Sequence, residues 1–171
     1  MSVKGAAERD REFTEFVVGQ RAALLRVATL LLGGDRAQAE DAVQTALTRL
    51  YLRWPKLRAD GVKAYARRCV VNAVIDDRRS LFRRRERVSA ELPDVAAVEA
   101  QYRDASSMTA LLARLPERMR AAVVLRCVEG LSTAEAAAAM GCSEGNVKSQ
   151  TARGLERLRE IYQEIEEKSH A

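Results

Sequence analysis

Six polar residues, Ser143, Asn146, Lys148, Ser149, Gln150 and Arg153, crowd into eleven positions near the carboxyl end of the chain. The amides of Asn and Gln can pair bidentately with adenine, Arg and Lys can donate to guanine or to phosphate, and Ser can bond either. A second cluster is electrostatic. Residues 78–87 hold six arginines, and residues 63–87 hold nine basic against three acidic side chains, a local +6 in a chain whose net charge is +5. A charge run is ordinarily a solvated helix face; at this density arginine points to phosphate contacts.

Other chemistries find little to work with. His170 is the single histidine and sits in the tail. There is no Gly-rich phosphate cradle, and the adjacent Asp76 and Asp77 form no metal-ligand pattern with other carboxylates. Cys69, Cys127 and Cys142 form no CxxC pair and have no histidines at zinc-ligand spacing. They read as reduced, small core residues, with a thiol redox sensor as the minority reading. No catalytic residue, metal or cofactor is expected. With 47% hydrophobic and 31% charged residues over 171 positions, the chain is globular and basic, which favours polyanionic partners. Its longest apolar run, Ala22 to Leu32, is broken by Arg26 and falls short of the roughly 20 residues of a membrane span. The amino terminus lacks the apolar stretch of a secretory signal, so a cytoplasmic location is expected.

The elements that must position these residues are helices throughout. Phe13, Phe16, Val17, Gln20, Leu24, Val27 and Leu31 recur at steps of three or four, and Gly33-Gly34 ends that helix. Asp35 is placed to cap a second helix with Ala39, Val43, Ala46, Leu47, Leu50 and Trp54 on one face, stopped by Pro55. A third helix from Val62 carries Tyr65, Cys69, Val70, Ala73, Val74 and Asp77 and ends in the arginines. Trp54 and Tyr65 flank the loop from Pro55 to Gly61, where they are either core or faces on which unpaired bases stack.

Periodicity fades over 88–107 and resumes with Met108, Leu111, Leu112 and Leu115, pausing at Pro116 and continuing through Met119, Val123, Leu125 and Val128. Ser132 and Glu135 have the spacing of a capping box, Gly141 stands where a left-handed C′ residue belongs, and Ser143 can open the last helix. Together these give a helix-turn-helix whose second helix enters the major groove. That helix should expose Glu144, Asn146, Lys148, Ser149, Gln150 and Arg153 while Val147, Ala152 and Leu155 point inward, and Gly145 leaves room for close approach. The bland alternative is an antiparallel helix pair with a polar outer face.

The chain resembles the extracytoplasmic-function (ECF, group IV) sigma factors of bacterial RNA polymerase, in the sigma-E-like actinobacterial branch. The similarity rests on Ala39-Glu40-Asp41-x-Val43-Gln44; on Ala66-Arg67-Arg68, Asn72 and Asp76 with the arginines; and on Leu115-Pro116-Glu117-Arg118, Gly141-Cys142-Ser143, Gly145-Asn146-Val147-Lys148-Ser149 and Arg153-Gly154-Leu155. It implies an all-α fold of two small domains joined by a flexible linker: region 2 over 8–87, a linker over 88–107, and region 4 over 108–167. It further implies that Glu40, Asp41 and Gln44 bind core polymerase and that Tyr65, Arg68, Asn72, Asp76, Arg79 and Arg83 read and open the -10 element. Ser143, Asn146, Lys148, Ser149, Gln150 and Arg153 then read the -35 element. Core RNA polymerase and promoter DNA are the implied partners, and an anti-sigma factor is left open. The family more often has Thr at 146, Arg at 150 and an acidic residue at 45, where this chain has Asn, Gln and Thr. A LuxR-like regulator is the alternative, and it requires a phosphoacceptor or ligand domain upstream.

Overall fold

A computed structural model describes residues 3–57, 60–87 and 107–170, side chains excepted at 3, 4 and 78–87. The described elements are all helical: α1 (Val3–Leu31), α2 (Arg36–Arg53), a 3-10 turn (Trp54–Lys56), α3 (Val62–Arg87), α4 (Met108–Ala113), α5 (Glu117–Val123), a π turn (Val124–Val128), α6 (Thr133–Met140) and α7 (Glu144–Ser169). The chain divides into two compact units, Met1–Val74 and Ile75–Ala171. Apart from Ser107, the segment expected as a linker lies outside the described residues.

In the first unit, α1 stops because Gly33 and Gly34 take positive φ of 64° and 96°, which a side chain would resist. The Gly34 N–H closes back onto the Thr29 carbonyl at 2.8 Å. Asp35 then caps α2, one carboxylate oxygen accepting from the Gln38 backbone N–H at 3.0 Å and the other from its side-chain amide at 2.7 Å. The stripe Ala39, Val43, Ala46, Leu47 and Leu50 is buried, and α2 packs on α1, whose Leu24, Val27, Ala28 and Leu31 are also buried. Trp54 settles into an aromatic cluster, its ring centroid 5.1 Å from Phe13 and 5.2 Å from Phe16, with Phe13 edge-on to Tyr51 at 5.0 Å. Such tilted pairs suit the ring quadrupoles. Tyr51 adds a 2.8 Å hydrogen bond to Asp10, tying α1 to the far end of α2. In α3, Val62, Ala66, Cys69, Val70, Ala73 and Val74 are buried.

In the second unit, Ser107 caps α4 and Pro116 opens α5. The nearly buried Arg120 donates to the Ala113 carbonyl at 3.3 Å, closing the end of α4. Past Val123 the helix widens into a π turn, Glu129 N–H reaching the Val124 carbonyl at 2.9 Å. Arg126 then donates to the Leu131 carbonyl and so braces the turn into α6. The expected apolar face is uneven here. Leu112, Leu115, Val123 and Leu125 are buried, but Met108 is 56% exposed and Val128 36%.

Candidate nucleic-acid interface

Three caps fix the approach to the last helix. The Glu135 backbone N–H donates to Ser132 Oγ at 3.1 Å while the Ser132 N–H donates to Glu135 Oε2 at 2.8 Å, a complete capping box. Gly141 lies in the left-handed region at φ 61° and ψ 43°, and the Cys142 N–H closes onto the Ala137 carbonyl at 3.1 Å. Ser143 Oγ accepts from the Asn146 N–H at 3.1 Å, leaving the serine O–H free to donate outward. The turn between α6 and α7 is therefore two residues of fixed geometry and a cap, and α6 packs directly against α7.

The polar set divides on this helix. Lys148, Ser149 and Arg153 are exposed, Gln150 is half-buried, and Gly145 is open, a Cβ there meeting only Ser143 Oγ at 3.9 Å. Asn146 departs from the expected exposure: it is half-buried, and its Oδ1 is buried without a hydrogen-bond partner among the described residues. A buried acceptor without a partner is costly. The inward face differs too. Val147, Gly154 and Ile161 are buried and Leu155 half-buried, whereas Ala152, expected inside, is exposed. Seven-residue steps through 147, 154 and 161 keep one buried seam, in which Gly154 meets α5, and 152 falls off it.

On α2, Glu40, Asp41 and Gln44 are all exposed, Glu40 within 3.4 Å of Arg36. They lie off the buried stripe, on a face with Thr45, Thr48 and Arg49. On α3, Arg68 and Asp76 are exposed while Tyr65 and Asn72 are half-buried. Arg79 and Arg83 belong to α3, but their side chains lie outside the described residues. Tyr65 and Cys69 lie one turn apart on α3 and act on each other electrostatically. Burial pushes the Cys69 thiol up, against the pull of the Tyr65 hydroxyl and of the Arg49, Arg53 and Arg68 guanidiniums. Of the cysteines expected in the core only Cys69 is buried; Cys142 is half-buried and Cys127 exposed.

No group of three or more potential metal ligands occurs among the described residues, nor does any helix long and apolar enough to cross a membrane. Two helical units, the second a capped helix-turn-helix with a polar outer row, have the form of a DNA-binding protein. Residues 19–86 match the family described as sigma-70 region 2, and residues 106–158 match sigma-70, region 4. The RNA polymerase sigma-E factor of Streptomyces avermitilis is 42% identical over 156 residues, covering 87% of this chain and 84% of that protein. The ECF RNA polymerase sigma factor SigL of Mycobacterium tuberculosis is 32% identical over 174 residues, covering 95% and 96% respectively. Among solved structures, the sigma factor RpoE of Bartonella quintana, crystallised with the anti-sigma factor NepR, aligns with a TM-score of 0.66 at 25% identity, over 90% of this chain and 98% of that one. The chain belongs to the sigma-70 family of RNA polymerase sigma factors, in its ECF group. As such it binds core RNA polymerase and directs promoter-specific initiation. The region 2 match over residues 19–86 favours the sigma-factor reading over the LuxR-like alternative.

Proposed function

We propose that the two ends of the promoter are divided between the units, with 8–87 acting at the -10 element, 108–167 at the -35 element and 88–107 spanning them. The observation that carries this reading is the α6–α7 pair, whose three caps hold an outward row of base-reading and phosphate-reading side chains at the start of α7. Lys148, Ser149, Gln150 and Arg153 face the groove, Ser143 donates its O–H to a DNA phosphate, and Asn146 turns out to pair when DNA is present. Glu40, Asp41 and Gln44 bind core polymerase, which their exposure off the α2 stripe supports.

Tyr65, Arg68, Asn72 and Asp76, with Arg79 and Arg83 further along α3, read and open the -10 element. Holding an extruded base requires an amide and a nearby π-face, and Asn72 and Tyr65 are half-buried on the same helix. The chain makes and breaks no bond itself and works in the cytoplasm beside the polymerase. Because the Bartonella relative was solved with an anti-sigma factor, a protein of that kind is a further partner here.

Run-off transcription with core polymerase on a genomic promoter library tests the whole reading. Initiation in the absence of any other sigma factor, confined to templates sharing two spaced elements, is the expected result. Transcripts that require the housekeeping sigma factor, or that share no upstream element, would reject it.

A further inference from the structure

Gly154 lies inside α7, buried, with an ordinary helical backbone, so conformational freedom does not explain a glycine there. Space does. A Cβ at 154 would stand 2.6 Å from Val123 Cγ2, 3.3 Å from the Met119 carbonyl oxygen and 3.4 Å from Met119 Cβ. Carbon atoms pack at about 3.5 to 4.0 Å, so one methyl group there forces α5 and α7 apart by about 1 Å or displaces Val123, itself only 3% exposed. Val123 has little freedom to move, because it closes α5 where the π turn begins and is β-branched.

Gly154 is the direct neighbour of Arg153 and one turn beyond Gln150. We infer that Gly154 is a positioning residue for -35 recognition: its missing side chain sets how closely α7 seats on α5, and thereby how far Gln150 and Arg153 project toward the base edges. Bidentate base contacts tolerate only about 0.5 Å of misplacement, less than the shift a methyl would impose. The inference rests on the assignment of α7 to the -35 element, and its test separates the two.

Holoenzyme assembled from the full chain and core polymerase is assayed on duplex promoters that share a -10 element and carry an intact or a scrambled -35 element. The ratio of initiation on the two is the -35 discrimination. A template premelted at -10 and lacking the -35 element reports the remaining functions. Gly154→Ala is expected to lose about 10-fold in discrimination, the scale of one base-reading contact, while initiating normally on the premelted template. Adding Val123→Ala, which removes the 2.6 Å clash and leaves the Met119 atoms at 3.3 and 3.4 Å, is expected to restore the discrimination. Parental discrimination in Gly154→Ala overturns the inference, and so does a double variant that discriminates no better than the single one. If Gly154→Ala alone does not fold, the double variant decides: parental discrimination supports the steric coupling and its loss refutes it. A parent chain that initiates equally on both duplex promoters instead removes the -35 assignment itself.

Discussion

Asp41 is exposed and off the α2 stripe, so Asp41→Ala should weaken binding to core polymerase in a pull-down or fluorescence titration while leaving the thermal midpoint unchanged. A variant that unfolds would show that α2 presents a different face. Gln150 sits half-buried at the inner edge of the polar row. Its replacement by alanine should remove about 1 to 3 kcal/mol of discrimination at one -35 position, read by comparing binding across a set of single-base promoter variants. An unaltered preference at every position would take Gln150 out of the reading set. Cys69, by contrast, is governed by its surroundings. With its pKa raised by burial, the protonated thiol stabilises the fold below the free thiol's value, and that contribution fades as pH rises through the folded one.

Elements hold these residues in place through caps and ion pairs that can be removed one at a time. Ser132→Ala deletes the serine half of the capping box on α6 and should cost about 1 kcal/mol, measured by chemical denaturation. Because α6 abuts α7, the same variant tests whether the turn depends on that cap. At the other end of α7, Glu164 accepts from Arg114 at 2.7 Å, and that hydrogen bond holds the carboxyl below its usual range, helped by Arg157 3.6 Å away. A depressed folded pKa gives stability that is present above the unfolded value of about 4.3 and lost as pH falls through the folded one. The thermal midpoint of the chain should therefore drop on acidification below about pH 4 less steeply in Glu164→Gln than in the parent. Identical acid profiles would mean that this surface pair contributes nothing, as exposed pairs often do.

At the scale of the whole molecule, promoter opening separates binding from melting. Asn72→Ala should still give a closed complex on duplex promoter but weaker permanganate reactivity of -10 thymines, and a premelted bubble should restore transcription. Wild-type reactivity on the duplex would return Asn72 to a purely helical role and leave half-buried Tyr65 as a packing residue. Much of this organisation was legible in the chain itself. The glycines at 33, 34 and 141, the caps at Asp35, Ser132 and Ser143, and the period of the α2 stripe are local features, fixed by backbone sterics and by bonds spanning a few residues. Periodicity alone could not say which of several inward candidates on α7 meets a neighbour, because that depends on where α5 lies. Tertiary packing put Gly154 rather than Ala152 on the seam, buried the Asn146 oxygen, drew Trp54 onto Phe13 and Phe16, and left Cys127 exposed. The seating of Gly154 and of Trp54 turns on contacts between residues distant in sequence, for which helical spacing supplies the direction but not the partner.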